Sequence, residues 1–159
     1  MSEPVTKVLA PSPSRVRATW VGEHRFDTGK PDGLPARIDG SGETGQSPPE
    51  ALLSALAACS GVDVIDILAK RRTPVERLVV DVEASRRDEN PRRYEHILLT
   101  YRIDGVGIER VHAERALHLA FERYCSVAAS LAPDIIVESR IVLNGDEGEV
   151  IRQPVFTPT

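Results

Sequence analysis

The chain has 159 residues and two cysteines. Cys59 sits among small residues in "SPPEALLSALAACSG", residues 47 to 61, and Cys125 sits in "ERYCSVAAS". A thiol acts as a nucleophile or redox group only as its thiolate, so its surroundings must lower its pKa. A thiolate that attacks an O–O bond becomes a sulfenic acid, and a second thiol nearby condenses with it to a disulfide. A dithiol then resets the pair by exchange. Two cysteines on separate helices meet the first requirement of that cycle. The other reading is that both are small buried hydrophobes. Ala57, Ala58, Ser60 and Gly61 give Cys59 no charge, and it lies too far along its helix for the dipole to act strongly. A working Cys59 therefore needs a cation from elsewhere, most naturally an arginine.

Other chemistry-bearing residues point less clearly. Of the four histidines, His118 lies four residues after Glu114 and four before Glu122, which makes exposed helix pairs. No CxxC or HxxxH spacing occurs, so no metal site is expected. Asp63 and Asp66 follow Cys59 on the same helix and read as helix-end solvation or interface hydrogen bonding, with acid–base work as the alternative. The glycines form no phosphate loop, and no cofactor is expected.

Twenty basic and 24 acidic residues give a net charge of −4, which argues against nucleic-acid binding. The "KRR" run at 70 to 72 suits a helix C-terminus. The opening "MSEPVTKVLAPSPSR" lacks the pattern of a secretory signal. No stretch is read as approaching the roughly 18 apolar residues of a membrane span. A cytoplasmic protein with no membrane partner is expected, and in that compartment two cysteines do not imply a structural disulfide.

The elements that must position the thiols follow from patterning. Residues 1 to 14 read as a flexible arm, 15 to 144 as one domain and 145 to 159 as a loose tail. "RVRATWV" alternates as a strand with Val16, Ala18 and Trp20 on one side. "DTGKPDGLP" is rich in turn residues, and a short strand follows at "ARID". Ser47, Pro48 and Glu50 form a capping box for a helix running to about Arg71. Its many Ala, Ser and Gly residues suggest burial on most sides. Residues 77 to 85 and 93 to 103 predict an antiparallel hairpin with Ile97, Leu99, Tyr101 and Ile103 on one face. Residues 108 to 125 predict an amphipathic helix with Val111, Leu117, Ala120, Phe121 and Tyr124 inward, bending near Cys125. "SVAASLA" adds a turn or two of helix, and 134 to 144 closes the domain as a strand. This order is α+β.

Two segments carry a family resemblance. "SPPEALLSALAACSGVDVIDILAKRR" resembles the first-helix motif of the OsmC/Ohr superfamily, and "LAFERYCSVAASL" resembles its second cysteine motif. The "PDGLP" turn and the hairpin agree in order, so the resemblance spans about residues 15 to 144. It implies antiparallel sheets wrapped around central helices in an intertwined homodimer, with active sites at the subunit interface. It implies reduction of organic hydroperoxides, a peroxiredoxin-type activity, with Cys59 peroxidatic and Cys125 resolving. The implied reductant is a dithiol or a lipoylated protein. An arginine from the N-terminal region would hold the thiolate, itself oriented by a glutamate. Arg25 is the first choice, beside His24 at the aligned position, and Arg37 is another. Glu50 is the candidate glutamate, although Pro49 occupies the usual place, so Glu50 also reads as a capping residue alone. Ser126 stands where the motif often has proline. Two other functions stay open on the same fold: a non-catalytic protein that binds a small apolar ligand, and a thiol redox sensor.

Overall fold

The computed structural model describes residues 12–155. The expected flexible arm therefore lies outside the described residues for positions 1–11, as do the last four residues of the expected tail. The chain forms two compact units that divide between Ala51 and Leu52.

In the N-terminal unit, β1 (Arg17–Trp20), β2 (Arg25–Gly29) and β3 (Ala36–Asp39) form an antiparallel sheet in that order. The sequence reading puts turns where β2 runs. Asp27 and Gly29 are poor strand formers, but β2 is central and paired on both sides, so tertiary pairing overrides propensity. Arg37 Nε donates to Asp27 Oδ1 at 2.6 Å across β2 and β3. The predicted strand is present, and all four residues of β1 are exposed, Trp20 included. Beyond β3, Asp39 is buried and accepts from Ser41 N, Thr44 N and the Thr44 hydroxyl. These donors hold its carboxyl down at about 2, the Thr44 hydroxyl most of all.

Helix α1 (Pro48–Lys70) starts at the predicted capping box. Ser47 N donates to Glu50 Oε2 at 2.7 Å, and Glu50 N donates to Ser47 Oγ at 3.4 Å. The helix ends in a Schellman motif. Thr73 N donates to Leu68 O, Arg72 N donates to Ala69 O, and Arg72 takes a left-handed φ of 63°. By length and composition alone this 23-residue helix would suffice to cross a bilayer, which the sequence reading does not allow for. Within this one chain, burial on most sides is not reached. Leu53, Leu56, Ser60, Gly61, Val64 and Leu68 form one buried stripe, while Leu52, Val62 and Ile65 are exposed.

In the C-terminal unit the sheet order is β4 (Arg77–Arg86), β5 (Tyr94–Asp104), β6 (Ile136–Leu143) and β7 (Asp146–Glu147), with β8 (Ile151–Arg152) also on β6. The β4–β5 hairpin is antiparallel as predicted, and Ile97, Leu99, Tyr101 and Ile103 are fully buried. β5 and β6 pair in parallel, so this sheet is mixed. Their register sets Ile97, Leu99, Tyr101 and Ile103 beside Val137, Ser139, Ile141 and Leu143, all buried. Gly61 lets α1 approach β4: a Cβ there would lie 3.3 Å from Leu78 Cδ2. Within the segment expected to trail loosely, β7 and β8 pair with β6. Free backbone groups along β6 explain that pairing.

Parallel neighbours require a crossover. Here it is α2 (Arg110–Leu119), a π-helical turn over Ala120–Tyr124, and α3 (Ser126–Ala129). Ala113, Ala116, Leu117, Ala120 and Phe121 are buried, whereas Val111 and Tyr124, expected inward, are exposed. The π turn widens the helix by one residue and rotates Tyr124 away from the inner face.

Candidate functional site

Cys59 lies at the start of the fourth turn of α1, and Asp63 follows one turn later on the same side. Cys125 arrives from the other helical segment. It sits between the π turn and α3, with extended backbone at φ −69° and ψ 98°. Two hydrogen bonds fix that break. Cys125 N donates to Ala120 O at 2.7 Å, and Cys125 Sγ accepts from Ala128 N at 3.4 Å. The predicted bend at Cys125 is therefore present, and it is held by backbone and sulfur contacts at a position followed by Ser126.

Both cysteines are free thiols. The Sγ atoms of Cys59 and Cys125 and a carboxylate oxygen of Asp63 all lie within 4.8 Å of one another. Cys59 is partly exposed, while Cys125 is 2% exposed. Burial pushes the Cys125 thiol up to about 12; the Ala128 N–H opposes this, and Cys59 and Asp63 add to it. Burial, helped by the charge of Asp66, also raises Asp63. Its Oδ2 is buried and has no hydrogen-bond partner among the described residues.

Ser60, next to Cys59 in the chain, and Tyr101, near Cys125 and Asp63, are both fully buried. Ser60 Oγ donates to Leu56 O at 2.8 Å and meets Tyr101 Oη at 2.6 Å. Either hydroxyl can be the donor in the Ser60–Tyr101 bond. Burial raises the Tyr101 phenol, the bond to Ser60 lowers it, and Cys125 and Asp63 raise it further. A cavity of about 510 Å³ opens beside Asp63. Ile67 and Leu119 give it apolar wall, and Lys70, Arg71 and Arg115 give it positive charge.

The fold thus brings Cys59 and Cys125 together. Glu50 is found in the capping box with Ser47. Arg25 begins β2, half-buried, with its guanidinium 3.2 Å from Glu23 Oε2 and its Nε buried without a hydrogen bond. Arg37 is engaged with Asp27. His24 Nδ1 shares a 2.9 Å hydrogen bond with Ser41 Oγ. His118 pairs with Glu122 at 3.9 Å as expected, while Glu114 pairs with Arg110. Asp63, read from the sequence as helix-end solvation or interface hydrogen bonding with acid–base work as the alternative, belongs to the thiol cluster, and Tyr101, read only as part of a strand face, lies near it. The i, i+4 spacing from Cys59 to Asp63 was the available signal; Tyr101 gave none beyond its inward face.

Comparison with known proteins completes the description. Residues 40–140 match the family model "OsmC-like protein". The chain is 36% identical to protein YhfA of Escherichia coli K12 over 118 residues, which is 74% of this chain and 88% of that one. It resembles a hypothetical protein from Aquifex aeolicus VF5 with 30% identity and a TM-score of 0.75, covering 84% of this chain and 98% of the other. The organic hydroperoxide resistance protein OhrB of Bacillus subtilis shares the fold at 19% identity, with a TM-score of 0.54 over 84% of this chain and 98% of that one. The chain belongs to the OsmC-like family.

Proposed function

We propose that the protein is a cytoplasmic thiol peroxidase that reduces organic hydroperoxides through Cys59 and Cys125. The observation that carries this reading is the approach of the two sulfurs to within 4.8 Å, one partly exposed and the other buried. The exposed member is the one a peroxide reaches. Cys59 thiolate attacks the terminal peroxide oxygen, the O–O bond breaks, and the alcohol leaves after protonation. Cys59 is then a sulfenic acid. Cys125, losing its proton, attacks Cys59 Sγ and expels the oxygen as water. The net change is hydroperoxide plus two thiols giving alcohol, water and one disulfide. A dithiol or a lipoylated protein restores both thiols by exchange. The apolar walls beside Asp63 suit the organic part of the substrate.

In this reading Arg25 supplies the cation for the Cys59 thiolate, and Glu50 orients it. The capping box gives Glu50 a structural role of its own, so Arg25→Ala should lower kcat/KM more than Glu50→Gln does. The reading also takes the protein to be a homodimer, which the uncovered apolar residues of α1 and β1 support. Peroxide turnover with a dithiol reductant tests the proposal: Cys59→Ser should abolish it, and retained turnover would overturn the assignment.

A second reading has its own support. The thiol cluster includes the Asp63 carboxyl, whose charge raises the Cys125 pKa instead of lowering it. That favours a non-catalytic protein whose cavity binds a small apolar ligand, or a redox sensor in which the disulfide changes binding. Oxidation of the pair without steady turnover would support the sensor, and no oxidation would support the binding protein.

A further inference from the structure

We infer that Cys59, Cys125 and Asp63 form a binding site for a borderline-soft divalent metal ion, with Zn²⁺ the best fit. No linear motif announces it, because Cys125 reaches the other two only through the fold. The geometry suffices. Three atoms within 4.8 Å of one another share a point no more than about 2.8 Å from each, and zinc binds thiolate at about 2.3 Å and carboxylate at about 2.0–2.2 Å. Side-chain rotations of a few tenths of an ångström close the difference. Cys59 and Asp63 hold two ligands one helical turn apart on a rigid helix. Cys125 supplies the third from a backbone break pinned by the Ala120 and Ala128 hydrogen bonds.

A second observation points to the same place independently. Asp63 Oδ2 is buried and has no hydrogen-bond partner among the described residues. Buried carboxylate oxygens are nearly always satisfied, and a cation is one of the few partners that this position accepts. The donor set of two sulfurs and one oxygen suits zinc over magnesium or calcium, which prefer all-oxygen ligands. Three protein ligands leave a fourth position open to water. Where the cysteines also form a disulfide, which rests on the peroxidase reading, ion and disulfide exclude each other because both use the two sulfurs. Binding itself does not depend on that reading.

The test uses tag-free, fully reduced protein and no peroxide, so its failure is separate from any failure of peroxidase activity. Zn²⁺ is titrated against a competing chelator, and Co²⁺ serves as a spectroscopic probe. The expected result is one ion per chain, with thiolate-to-cobalt charge-transfer absorption that added Zn²⁺ removes. Asp63→Asn, which keeps the side-chain shape, should weaken Zn²⁺ binding by about tenfold or more. Cys59→Ser, at a partly exposed position, is a second variant and should weaken it at least as much. Absence of the charge-transfer absorption in the parent protein, or unchanged Zn²⁺ affinity in either folded variant, would overturn the site.

Discussion

At the scale of single residues, the two thiols differ by burial. Cys125 is enclosed and pushed up to about 12, so its thiolate fraction near neutral pH is at least a hundredfold below that of an ordinary thiol. In the reduced protein, iodoacetamide should therefore label Cys59 well before Cys125, as peptide mass spectrometry of timed samples would show. Equal labelling rates would contradict the described burial. The pair was legible in the sequence because two cysteine motifs stood in family order. The company it keeps was less so. Ser60 and Tyr101 meet across 41 residues of chain, a contact that strand alternation limits to a face but does not specify. Asp63 lay on a helix face the sequence did define, but whether its carboxyl was solvated or enclosed depended on where Cys125 arrived.

At the scale of elements, helix ends and turns carry the clearest predictions. Arg72 closes the Schellman motif of α1 with a left-handed backbone, which costs a residue bearing a Cβ about 1 kcal/mol or more. Arg72→Gly should stabilise the protein by up to about 1 kcal/mol in urea unfolding, and a loss of stability would contradict that account. Asp39 gives a pH-dependent prediction. Its folded pKa, about 2, lies below the ordinary value near 3.9, so its contribution is full above that ordinary value and lost as pH falls toward about 2. The stability gap between the parent protein and Asp39→Ala should be constant near neutral pH and narrow in acid. The long elements were legible because their signals are local: the capping box began α1, and alternation gave the hairpin. The parallel β5–β6 pairing was not, since alternation names a face and not a neighbour. β2 was hidden by turn-forming residues, and the C-terminal strands by their length of two residues each.

At the scale of the whole molecule, the mixed α+β character and the family were both legible, from element order and from the two motifs. The sequence reads α1 as buried on most sides, and one chain alone does not supply that cover. Leu52, Val62 and Ile65 remain exposed on the helix that carries Cys59. The proposed homodimer covers them with a second copy. Ile65→Asp should then weaken self-association by about 2 kcal/mol, roughly thirtyfold in Kd, as sedimentation equilibrium would report. A protein that sediments as a monomer before and after the change would contradict the proposed dimer. The central claim is that Cys59 and Cys125 work as a pair, and intact mass tests it most directly. Fully reduced protein, freed of reductant, receives one equivalent of cumene hydroperoxide and is weighed with and without alkylation. The account predicts rapid loss of both free thiols within one chain and no added oxygen. Two unchanged, alkylatable thiols would contradict it.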